Sequence, residues 1–291
     1  MMKKSKQILF LTFSLLFVVI FAVCFAFNWP QSVESINSFS SFFGQPRGSA
    51  FTNSLIFENP SEILPAKDGE VIINLKNGIA DMGWFESTLG NAVVLSHEND
   101  LLTVYGNLEE VYIEENTTTL QSEDVIGISG SSGWQTGKNS LEFQVIDTKS
   151  NKVINPFVLM PTIQSQDSLV IKDVIVENNS GKSFSISNYV KINSGVYKLY
   201  IKKQAESMTY KTSVLVNGAM VESIVFDVLT KDNSRLAVQG KELYEFEEIY
   251  PNQEMQLLAE IILPKGRNLI TITIEDFFGN TKTSNYTIEV I

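Results

Sequence analysis

GNAVVLSHENDLLTVYGNL at residues 90–108, with VIGISGSSG at 125–133 and NSLEFQV at 139–145, is the stretch from which the fold of this chain is read. Its apolar runs are short and rich in Val, Ile, Leu and Phe, and clusters of Gly, Ser and Asn separate them. Short apolar runs punctuated by turn formers predict strands of a compact antiparallel sheet rather than helices, which need longer runs at a different period.

Working outward, PAKDGEVIINL (65–75) reads as a further strand entered through an Asp68-Gly69 turn. The loop after it carries Trp84 and Phe85, and the SSGWQTG segment carries Trp134. Aromatic rings on loops beside a sheet either line a groove or plug the ends of a small core, and the sequence leaves both readings open. EENTTTLQSED (114–124) reads as a solvated loop. After NPFVLMP (155–161) the composition breaks, and from Leu169 the chain alternates in short runs, among them VYKLYIKK, TSVLVNGAMVESIVFDVL and NLITITIED. Alternation of this kind, with Asn217-Gly218 as a hairpin signal, predicts an antiparallel β-sandwich. The fold class expected is therefore all-β.

Composition limits the function. Apolar content of 44% with 19% charged residues indicates folded domains. A net charge of −11 argues against nucleic acid, whose phosphates require clustered Lys and Arg, and against electrostatic docking on anionic lipid. At the N-terminus, Lys3, Lys4 and Lys6 precede an uninterrupted apolar run, residues 8–27. That run is about as long as a membrane-spanning helix and longer than an ordinary signal-peptide core. Residues 1–29 are read as a membrane anchor or signal peptide, 30–40 as a linker, 41–163 as the first domain and 167–291 as the second. Either reading of the leader puts the body outside the cytoplasm, held at the membrane by its N-terminal helix or released into the periplasm or envelope. The chain's one cysteine, Cys24, lies in that leader, so the body has no disulfide.

The ordered series GN-x-VVL-x-H, TVYGNL, VIG-x-SG-x-x-G, L-x-F-x-V and Asn155-Pro156, preceded by FGQPRGSAFTNSLIF (43–57), resembles the LytM/lysostaphin-type zinc metallopeptidases. The resemblance covers roughly residues 41–160 and implies the antiparallel LytM core, the duplicated hybrid motif. The ending NLITITIEDFFGN resembles immunoglobulin-like modules that accompany LytM domains. In the LytM family the metal is held by the His and Asp of an HxxxD motif and the second His of an HxH motif, with further histidines assisting. Carried over residue by residue, these positions fall on Thr52, Ile56, Asn107, Ser140 and Glu142, and none keeps the family residue. The rest of the chain adds no replacement set: it has one histidine, His97, and no spacing that suggests a His/Cys site. His97 precedes a tight turn at 98–100, which suits a turn or packing role or a functional one. Glu142 is either a relic ligand or an ordinary solvated or salt-bridged carboxylate.

The resemblance therefore implies a pseudoenzyme with no cofactor and no metal. Such a domain would bind peptidoglycan or recruit a cell-wall hydrolase through a groove formed by Trp84, Phe85, Asn107, Trp134, Ser140 and Glu142. Two other readings stand beside it, a scaffold module of an envelope complex and a metalloendopeptidase with a rebuilt site. GISGSSG lacks the Lys-Ser/Thr of a phosphate loop, and no nucleophile-elbow motif surrounds a serine.

Overall fold

A computed structural model of the chain describes residues 27–76, 87–134, 139–163, 169–186, 191–203 and 209–291. Of the segment expected to be a membrane anchor or signal peptide (1–29), residues 1–26 lie outside them, as does the loop bearing Trp84 and Phe85; Phe27 and Trp29, and Phe39 at the end of the expected linker (30–40), instead pack into the core of the first half. Among the described residues no helix is long and apolar enough to cross a membrane.

The first half contributes β1 (Phe39–Ser41), β2 (Pro46–Arg47), β3 (Ala50–Phe51), β4 (Leu55–Phe57), β5 (Glu62–Ile63), β6 (Gly69–Leu75), β7 (Asn91–His97), β8 (Leu101–Val111), β9 (Thr119–Leu120), β10 (Gly127–Ser129), β11 (Glu142–Asp147) and β12 (Lys152–Ile154). The turn at Glu98–Asp100 reverses the chain between β7 and β8, with Asn99 and Asp100 at φ of 64° and 61°. Asn and Asp tolerate this left-handed region better than most residues, which is why END closes the hairpin. The long strand β8 is central: β7 pairs along one edge, and β11 and then β10 share the other. On β11 the outer edge is likewise divided, β4 opposite Glu142 and Phe143, and β12 opposite Val145–Asp147. The loop 114–124 is largely exposed, in keeping with a solvated loop, and is tied back at one point where β9 pairs with β6.

The second half contributes β13 (Ile175–Asn178), β14 (Ser183–Ser185), β15 (Lys191–Ile192), β16 (Gly195–Lys202), β17 (Lys211–Val216), β18 (Ala219–Asp232), β19 (Arg235–Gln239), β20 (Leu243–Glu245), the short helix α1 (Phe246–Ile249), β21 (Met255–Leu263), β22 (Gly266–Glu275) and β23 (Thr281–Val290). One sheet runs β14-β13-β16-β21, and the facing one is built by pairing β18, β17, β22, β23 and β15. Asn217 and Gly218 take φ of 52° and 85°, the positive pair that a two-residue hairpin needs. Along β22, Ile270, Ile272 and Ile274 are fully buried while Leu269, Thr271 and Thr273 face away. These isoleucines meet Leu199, Val214, Ile261 and Leu263 to fill the sandwich. The structure is all-β in both halves, as the alternation predicted.

The halves are not separate bodies on a string. β12 pairs with β18 at Ile154↔Val228 through Lys152↔Thr230, taking over the edge where β17 leaves off at Val225. The buried Asn155 pins the junction: its backbone N–H donates to Asp227 O and its Nδ2 to Phe226 O, each at 2.8 Å. Phe43, Phe51, Phe226, Ile249 and Tyr250 belong to one core cluster with Tyr105 and Phe143 of the first half. ELYEFEEIY (242–250) sends Tyr244, Ile249 and Tyr250 into the core, while Leu243, Glu247 and Glu248 stay exposed.

Candidate functional site

The register brings together positions far apart in sequence. Leu141, just before β11, and Phe143 and Val145 on it face the hydrophobic core, so Glu142 and Gln144 project from the opposite face. Ile56 of β4 is the cross-strand partner of Glu142. Over this face folds the small β2–β3 ribbon, whose pairing of Pro46 with Phe51 and Arg47 with Ala50 aims Arg47 at Glu142.

The result is a bidentate ion pair. Arg47 Nη1 donates to Glu142 Oε1 at 2.8 Å and Nη2 to Oε2 at 3.3 Å. Ser54 Oγ donates to Oε1 at 2.9 Å and Gln144 Nε2 to the same oxygen at 3.3 Å. The glutamate side chain is 3% exposed and the arginine 40%. A buried carboxylate is tolerated when a guanidinium fork and further donors satisfy it, as here.

Asn107 has a different task. Its backbone is left-handed at φ 65°, and its side chain is fully buried. Nδ2 donates to Gly130 O at 2.6 Å, Ser140 O at 2.8 Å and Ser140 Oγ at 3.0 Å, while Oδ1 accepts from Gly133 N at 2.8 Å. One amide therefore cross-links β8 to both ends of the 130–140 loop. The same loop packs on Gly90, where a Cβ would sit 2.3 Å from Gly133 N. Thr52 is fully buried beside the ribbon, with no hydrogen bond to its hydroxyl among the described residues.

His97 lies on the core face of β7. Nδ1 sits 2.9 Å from Asp68 O, and because a carbonyl only accepts, Nδ1 carries the proton. Nε2 meets Thr103 Oγ1 at 2.7 Å, which in turn hydrogen-bonds the Tyr105 hydroxyl at 3.1 Å. Phe27 packs edge-on against the imidazole at 5.2 Å. Burial holds the His97 pKa below its ordinary value, and burial pushes the Tyr105 phenol up to about 12. This is a packing and hydrogen-bonding role.

The groove expected from the sequence is thus rearranged. Asn107, Ser140 and Glu142 are buried and hydrogen-bonded within the protein, so their side chains do not face a ligand. Trp134 is 63% exposed. Trp84 and Phe85 lie outside the described residues. Local sequence missed Arg47, although it stands in the quoted FG-x-x-R opening. Its partner is 95 residues away.

The family's zinc does not fit these residues. Zinc takes several His, Cys or carboxylate donors. Glu142 is the one such donor in the set, and a guanidinium already occupies its two oxygens. Ile56 offers methyl groups. Among the described residues no three His, Cys, Asp or Glu side chains come together.

Comparison with known proteins follows the same division of the chain. A family described as Peptidase family M23 matches residues 55–156, and a second family, carrying no description, matches residues 168–291. An uncharacterized protein of Treponema pallidum (strain Nichols) is 31% identical over 121 residues, which take in 38% of this chain and 79% of that protein. A zinc-containing peptidase from Vibrio cholerae is 19% identical with a TM-score of 0.37 over 48% of this chain, which spans 41% of that peptidase. Lysostaphin is 12% identical with a TM-score of 0.35, over 87% of this chain and 99% of its own. The SpoIIIAH–SpoIIQ complex supplies a match at 21% identity and a TM-score of 0.35, covering 45% of this chain and 98% of that one. By the match over residues 55–156, the first half of the chain belongs to peptidase family M23.

Proposed function

We propose that this M23 domain works by binding and not by peptide hydrolysis. It would contact peptidoglycan or recruit a cell-wall hydrolase, from the outer face of the cytoplasmic membrane. The observation that carries the reading is the Arg47–Glu142 ion pair. Peptide hydrolysis by this family rests on a metal that activates water. Here the carboxylate at a family ligand position is engaged by Arg47, Ser54 and Gln144, and its cross-strand neighbour Ile56 cannot ligate a metal. Hydrolysis has lost its means, while the sheet and the exposed Trp134 that a wall strand or partner would meet are retained.

The β12–β18 pairing favours a second reading, a scaffold in which the M23 domain is a rigid extension of the sandwich. The discriminating experiment uses the purified full chain. After incubation with zinc and desalting, it should hold no stoichiometric metal and release no dye from labelled peptidoglycan. It should nevertheless sediment with insoluble peptidoglycan or bind a purified wall amidase or peptidase. Retained zinc with dye release would overturn the binding reading in favour of a rebuilt metallopeptidase, and absence of both kinds of binding would favour the scaffold.

A further inference from the structure

Glu142 occupies only one end of Arg47. A guanidinium presents five N–H donors in one plane, and the carboxylate takes two of them end-on, one from each Nη. The flank that carries Nε–H makes no hydrogen bond among the described residues, and this side chain is 40% exposed while its partner is 3% exposed. The buried glutamate, itself fixed by Ser54 and Gln144, holds the guanidinium plane in one orientation. The β2–β3 ribbon fixes the other end: Phe51 packs on Phe226, Phe246 and Tyr250, and the Tyr250 hydroxyl donates to Gly44 O at 3.1 Å. An arginine held at both ends with a free flank is prepared to accept a second planar anion side-on.

We propose that Arg47 is a carboxylate-binding subsite, and that its ligand is the carboxylate of a peptide; this rests on the reading of the domain as a binding module. A singly charged carboxylate fits better than a phosphate, because Glu142 lies on the same guanidinium and repels a second negative charge in proportion to its size. The same repulsion weakens binding of the second anion.

The chain has three arginines, Arg47, Arg235 and Arg267, so a nitrogen-15 spectrum of arginine Nε–H groups contains three assignable signals. Arg47→Lys identifies one of them, and should that variant fail to fold, Arg235→Lys and Arg267→Lys identify it by elimination. The full chain is titrated with N-acetyl-alanyl-alanine, with its C-terminal amide at equal ionic strength, and with N-acetyl-glutamic acid α-amide, whose one carboxylate is on the side chain. The Arg47 signal should shift and saturate with the acid, while the amide leaves it in place. A matching shift with the glutamic acid derivative assigns the subsite to any peptide carboxylate, and its absence assigns it to a chain end. Equal responses to acid and amide, or shifts of all three arginines together, would overturn the proposal. If the Arg47 signal stays still while the chain sediments with peptidoglycan, this subsite falls and the binding module stands. A saturating Arg47 shift in a chain that binds neither wall nor hydrolase would do the reverse.

Discussion

Arg47→Met should destabilise the protein far more than Glu142→Gln, and the double variant should be more stable than Arg47→Met alone. The asymmetry follows from exposure: the glutamate side chain is 3% exposed and the arginine 40%. Methionine keeps the unbranched stem but leaves a buried carboxylate with only Ser54 and Gln144 as donors. Breaking a buried pair from that side costs about 3–5 kcal/mol. Glu142→Gln keeps an acceptor for Ser54 and leaves Arg47 in contact with water, so its cost is that of a weakened hydrogen-bond set, about 1–2 kcal/mol. In the double variant no charge is stranded, and the loss should return to about 1–3 kcal/mol. For a folded body of this size each kcal/mol moves the melting temperature by roughly 2–4 °C, so Arg47→Met should melt roughly 6–20 °C below the parent. Thermal and urea unfolding of the four proteins completes the cycle. Strictly additive losses, or a larger loss from Glu142→Gln than from Arg47→Met, would refute the account of the pair.

Three further outcomes are expected. His97 is the chain's one histidine, and burial lowers its folded-state pKa below the unfolded value of about 6.5, so its contribution is complete above that pH and lost as pH falls through the folded pKa. Urea midpoints measured from pH 7.5 to 5.5 should therefore decline in the parent and flatten in His97→Asn, and the lone imidazole resonance should titrate below 6.5. Asn107→Asp removes three donor contacts and points a carboxylate at two carbonyls, so it should cost more than Asn107→Ala, at about 3 kcal/mol or above by chemical denaturation. Gly44→Ala adds a Cβ 2.5 Å from Phe226 Cδ1 at a φ of 80°, and crowding plus backbone strain should cost about 2–4 kcal/mol, seen as one shifted transition by probes in both halves.

The strands were legible where turn chemistry and alternation speak locally. END between β7 and β8, Asn217-Gly218 between β17 and β18, and the isoleucine ladder of β22 each announce their own geometry. The site was not legible in the same way. In LEFQV, alternation puts Glu142 and Gln144 on the face away from the core, and the usual consequence is a solvated face. The β2–β3 ribbon covers that face instead, and nothing around Pro46 or Phe51 announces a partner on β11. Asn107 read as a groove residue because its family position is catalytic, whereas its positive φ and the carbonyls of Gly130 and Ser140 make it a loop clamp. The join between the halves was hidden for a related reason. KVI at 152–154 is too short to declare which edge it will pair with, and that edge belongs to a strand more than seventy residues on.

That join sets what happens when the chain is cut. Cleavage between residues 163 and 169 would leave β12 with one bare edge and β18 with another, two templates that match in register and in the Asn155 contacts. Bare edges of this kind recruit other chains. Each fragment alone is then prone to associate with itself, and the two mixed together have a ready route to reassemble. Two intact copies whose β12–β18 pairings part can exchange their second halves, giving a swapped dimer whose interface is the one already present within a single chain.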